Sequence, residues 1–157
     1  MLRHALFATV FTFGLIGAAS AGALHFEASL DGKSEVPGIT GAGSGQVLAT
    51  LDTASKTLSY TMTFQGLTGP ATAAHFHGPA KAGANAGVAV AIGQNPVNPV
   101  TGKVTLTDAQ IKELEAGMWY VNVHTAANKG GEIRGQVMHS KDDGTPMKAA
   151  AMPPKKH

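Results

Sequence analysis

The stretch TAAHFHGPA (72–80) sets His75 and His77 one residue apart, in a chain of 157 residues that holds only seven histidines. On an extended strand, residues i and i+2 point to the same face and lie about 6.6 Å apart. Two imidazoles at that spacing can converge on one ion, because metal–nitrogen bonds are ~2.0–2.1 Å long. A third histidine, His124, is the next-to-last residue of the stretch MWYVNVHT (118–125). There Trp119, Val121 and Val123 form an apolar stripe suited to a core, which leaves Tyr120, Asn122 and His124 on the other face. In GEIRGQVMH (131–139) the same alternation points Ile133, Gly135 and Val137 inward and Glu132, Arg134 and Gln136 outward. If these segments are neighbours, one outward face gathers His75, His77, His124, Tyr120, Asn122, Glu132 and Arg134. The chemistry this offers is a three-histidine surface metal site with an open position.

The chain contains no cysteine, so ligation must come from imidazole, carboxylate or thioether. An all-imidazole set suits copper, zinc or nickel, and copper binds most tightly in the general affinity order. A copper ion is therefore the expected cofactor, with zinc as the alternative. Tyr120, Asn122, Glu132 and Arg134 would surround the ligands, orienting the rings or attracting anions. A second reading stays open: the histidines anchor loops through hydrogen bonds, while Asn122, Glu132 and Arg134 hold turns shut.

Positioning these groups falls to short strands. LHFEASL (24–30), QVLATLD (46–52) and TLSYTMTF (57–64) alternate with a period of two, and TASK (53–56) reads as a hairpin turn. SEVPGITGAGSG (34–45) and the Gly/Ala-rich stretch 78–87 read as loops. VAVAI (88–92) and KVTL (103–106) are brief strands, and GQNPVNPVTG (93–102), with its two Asn-Pro pairs, is expected to be loop throughout. One helix is legible: Thr107 precedes Gln110 by three residues, as in a capping box, and DAQIKELEAG ends in Gly117. The sum predicts an all-β fold, an antiparallel, Greek-key-like β-sandwich of seven to eight strands with one short helix. GAGSG lacks the lysine and following helix of a phosphate loop, and no nucleophile elbow is present. Asp31, Glu27 and Glu35 are expected to be solvated.

The beginning differs in character. A positive MLRH, the apolar ALFATVFTFGLIG and the small residues AASAGA are laid out like a secretory signal. Three regions follow: a signal peptide at 1–23, a β-sandwich domain at 24–139, and a tail containing Met, Lys and His at 140–157. Periplasmic or secreted residence is expected, with no stable membrane insertion after cleavage, since the apolar run is shorter than the ~20 residues of a spanning helix. Without Arg3, 11 basic residues face 10 acidic ones. A charge so near neutral argues against nucleic acid as a partner.

The stretches TAAHFHGPA, LTDAQIKELEAGMWYVNVHTAANKGGEIRGQV and SEVPGITGAGSGQVLATLD resemble the CHRD domain, first described in chordin and widespread in bacterial exported proteins. The resemblance spans about Leu24 to Met138. It implies a β-sandwich and, in chordin, a module of a protein that binds growth factors. The arrangement is also similar to the copper site of copper–zinc superoxide dismutases. That likeness implies His75 and His77 as the paired ligands, His124 as the late-strand ligand and Arg134 as a guide for anions. The functional expectation is metal binding, sensing or delivery rather than turnover. The alternatives are a non-catalytic module that binds a protein or carbohydrate partner, and a dismutase-like redox enzyme.

Overall fold

A computed structural model describes residues 22–140. The expected signal segment and tail lie outside the described residues, apart from 22–23 and Ser140. The period-two segments form strands β1 (Ala23–Asp31), β2 (Ser44–Asp52), β3 (Thr57–Gln65), β4 (Ala71–His77), β5 (Val88–Gln94), β6 (Val100–Thr105), β7 (Trp119–Thr125) and β8 (Ile133–His139). The helix α1 covers Asp108–Glu115. All eight strands belong to one sheet in the order β5-β4-β7-β8-β1-β2-β3-β6, and every pairing is antiparallel. The expected all-β fold with one short helix is therefore present, as a single sheet that curls until it is nearly closed.

The curl is visible in the core. β3 and β4 are far apart in the strand order, yet the rings of Tyr60 and Phe76 meet edge to face at 5.3 Å. Phe76 also lies 6.0 Å from Trp119. Around them pack Phe26, Leu30, Val47, Leu51, Leu58, Met62, Val121, Val123, Ile133 and Val137, all buried. Each fully buried side chain of this kind contributes about 1.5–3 kcal/mol.

Turn chemistry sets the registers. Asp52 Oδ1 accepts from the amides of Ala54 and Ser55, both at 2.9 Å, which closes the β2–β3 hairpin. The capping box of α1 is complete: the Gln110 amide donates to Thr107 Oγ1, and the Thr107 amide donates to Gln110 Oε1. Trp119 Nε1 donates to Glu113 at 3.1 Å, tying the helix to β7.

The expectation of an unbroken loop at 93–102 is corrected. Gly93 and Gln94 extend β5, and Val100–Gly102 begin β6, leaving residues 95–99 as the connection. Gly102 pairs with Tyr60, and a side chain at 102 would overlap the tyrosine ring. Glycine is needed there because β6 lies directly against a large aromatic group, not because the chain turns. Ser44 and Gly45 likewise join β2 rather than the preceding loop.

Candidate metal centre

Register brings the three histidines together. β4 pairs with β7 so that His75 opposes Asn122, His77 opposes Tyr120 and Ala73 opposes His124. Paired residues share a face, so the three imidazoles lie on the side of the sheet opposite the Phe76–Trp119 core. The ligand nitrogens of His75, His77 and His124 all lie within 4.8 Å of one another. Two ligands of one ion are separated by at most ~4.2 Å, twice the bond length, so the widest pair needs to close by only about 0.6 Å.

Hydrogen bonds assign the tautomers. His124 Nδ1 faces the Lys129 carbonyl at 2.9 Å. A carbonyl only accepts, so Nδ1 carries the hydrogen and Nε2 keeps a lone pair. His75 Nδ1, 3.1 Å from that Nε2, then donates to it. This is how a ligating histidine is held in known metal sites: one nitrogen donates to a carbonyl and the other is free to bind.

His77 is confined more tightly. Its ring stacks on Tyr120 with centroids 4.7 Å apart and planes 1° from parallel. Nδ1 lies 3.1 Å from the Ala86 carbonyl, and Nε2 lies 3.1 Å from Asn122 Oδ1. Both neighbours are acceptors, so a neutral ring leaves one nitrogen lone pair against an oxygen. A cation shared at Nε2 removes that conflict.

Burial lowers the pKa of both His75 and His77. The neighbouring imidazoles push in the same direction. Neutral imidazole is the form that ligates. His75 and His124 are half-buried, so the cluster reaches solvent on their side.

The surrounding polar residues are placed differently from the outward surface expected. Tyr120, Asn122, Glu132 and Arg134 are all buried. The loop 78–87 covers this face and is pinned from below. Arg134 donates to Asn85 Oδ1 at 2.9 Å and to the Ala84 carbonyl, and Gln136 Nε2 donates to the Ala80 carbonyl at 2.9 Å. Tyr120 Oη exchanges contacts with the backbone of Ala86. The Arg134 guanidinium also lies 3.4 Å from the Tyr120 ring centre. Arg134 is thus a buried clamp for the loop, and the expected role of guiding anions from solvent is corrected. Its link to the histidines runs through Tyr120, which stacks on His77.

Glu132 stands apart from the cluster. Its carboxylate accepts from the Thr68 amide at 2.7 Å, Thr68 Oγ1 at 2.6 Å, Asn128 Nδ2 at 3.0 Å and Thr125 Oγ1. Burial pushes its pKa up, but the hydrogen bonds from Thr125, Thr68 and Asn128 outweigh burial and bring it down to about 2. Glu132 staples the β3–β4 connection to the β7–β8 turn. Of the four supporting residues expected, Asn122 touches a histidine through a hydrogen bond, Tyr120 does so by stacking, and Arg134 acts at one remove.

Glu35 was expected to be solvated, and this too is corrected. It is only 7% exposed, because the 32–39 loop folds back on itself: the amides of Glu35 and Ile39 both donate to the Gly32 carbonyl. Nothing in the local pattern SEVPG marks this carboxylate, since the chain beside it comes from Gly131, almost a hundred residues on.

The model of the CHRD domain family matches residues 26–137. The chain belongs to the CHRD domain family. The match runs from within β1 almost to the end of β8, so this CHRD domain takes in all eight strands, the histidine cluster included. No curated protein and no solved structure matches the chain.

Proposed function

We propose that this CHRD domain binds a transition metal ion, copper or zinc, through His75, His77 and His124, and that it serves metal binding, sensing or delivery in the periplasm or outside the cell. The observation that carries the reading is the convergence of three ring nitrogens within 4.8 Å, with the Lys129 carbonyl holding His124 in the tautomer that leaves Nε2 unprotonated. Tyr120 and Asn122 orient His77, and Arg134 supports Tyr120 from the β8 side. With no thiolate in the chain, imidazole ligands suit Cu(II) or Zn(II). The basic, apolar, then small-residue start of the chain supports export. Titration of the purified protein with Cu(II) and Zn(II), beside the His75→Ala/His77→Ala double variant, tests the reading. A loss of affinity of a hundred-fold or more is expected in the variant, and equal affinity rejects the site.

A further inference from the structure

Glu35 is a buried carboxylate that this site has not yet used. Its Oε1 is shielded from solvent and has no hydrogen-bond partner. The carboxylate occupies the niche beside Gly131, where φ is +131° and an added Cβ would overlap Glu35 Oε1 and come within 2.7 Å of Asn122 Nδ2. Glu35 and the amino group of Asn122 therefore border the same small space. Asn122 Nδ2 also donates to the Gly130 carbonyl at 3.4 Å. With acceptors on that side, the amide is turned so that Oδ1 faces His77 Nε2.

Resting on the metal-binding reading above, we infer that Glu35 is a positioning residue of the histidine cluster: it orients Asn122 toward His77 and supplies a buried negative charge that favours a divalent ion over a monovalent one. Burial pushes the pKa of this carboxylate up, and the nearby Arg134 guanidinium acts against that. Arg134 is committed to Asn85 and Ala84, and among the described residues Glu35 forms no salt bridge. An ion at the histidines adds a further positive charge. A fixed charge attracts a 2+ ion twice as strongly as a 1+ ion at the same distance, and water screens little of this when the charge is buried.

The full chain with Glu35→Gln, which keeps the shape and removes the charge, tests this. Affinities for Cu(II), Zn(II) and Cu(I) are measured by chelator competition, and the Cu(II)/Cu(I) midpoint potential by spectroelectrochemistry. The expected result is a loss for Cu(II) and Zn(II) about ten-fold larger than for Cu(I). That raises the potential by about 59 mV. Glu35→Asp, which retains the charge, is expected to keep the preference for the divalent ions. Equal losses for all three ions, as a merely structural role would give, overturn the inference, as do unchanged affinities. If the wild-type protein binds none of the ions, the metal reading falls and takes this inference with it. If the wild type binds them and Glu35→Gln changes nothing, the inference falls alone.

Discussion

His75 Nδ1 lies 3.1 Å from His124 Nε2, although the two residues are 49 positions apart. Neighbouring strands bring them together, and one backbone carbonyl decides which of the two donates. Because Lys129 takes the hydrogen of His124 Nδ1, the acceptor in the pair is His124 Nε2. The same atom is the natural point of attachment for an ion, so metal and hydrogen bond compete for one lone pair.

This assignment is open to spectroscopy. Long-range proton–nitrogen spectra of the metal-free protein are expected to show neutral His124 as the Nδ1–H tautomer. Adding Zn(II) should move the Nε2 resonance and leave Nδ1 protonated. An Nε2–H tautomer at His124 would contradict the geometry.

Acid should attack the fold at Glu132. Its pKa lies at about 2 against an ordinary 4.5, so the unfolded chain takes up a proton at a pH where the folded chain does not. Stability therefore rises with pH across this window. The full contribution is present above about 4.5 and is lost as pH falls toward 2, a total of about 3 kcal/mol at 1.36 kcal/mol per pH unit. Urea unfolding at several pH values from 2 to 6 measures this, and Glu132→Gln is expected to flatten that part of the profile.

Gly131→Ala probes the niche of Glu35. A non-glycine residue at φ +131° is strained, at a cost of about 1–3 kcal/mol. The new Cβ would also displace Glu35 Oε1 and crowd Asn122. A stability loss of that size, measured in denaturant, is expected together with weakened Cu(II) binding. Gly130→Ala, where no atom lies within 4 Å of the new Cβ, should leave metal affinity unchanged.

Arg134→Lys tests the clamp on the 78–87 loop. Lysine keeps the charge but loses the planar fork that reaches Asn85 and Ala84 while stacking on Tyr120. Breaking such buried, charge-assisted bonds costs about 1.5–3 kcal/mol. Hydrogen exchange should quicken at the Ala86 amide, which donates to Tyr120 Oη. Unchanged exchange there would show that the loop is held by other means.

Much of the frame was legible from residue order. The alternation Trp119, Val121, Val123 against Tyr120, Asn122, His124 is a local property of a strand, and the capping residues Thr107 and Gln110 are three positions apart. These signals hold because each depends on near neighbours in the chain. The pairing of His75, His77 and His124 was likewise readable, since types and strand period place them on one face once β4 and β7 adjoin.

Other features depended on groups that meet only after the sheet curls. The polar face looked like open surface, since strand alternation separates two faces without revealing that the 78–87 loop roofs one of them. Glu132 and Arg134 stand two residues apart on one face of β8's approach but serve separate ends, one binding Thr68, Thr125 and Asn128, the other Asn85 and Ala84. Glu35 and Gly131 lie far apart in order, and no local rule connects them. The chain alone therefore determined most of each strand, the helix cap, the shared family and the histidine set. Tertiary structure decided which polar groups are buried and which partners satisfy them, because desolvation and hydrogen bonding depend on distance in space rather than separation along the backbone.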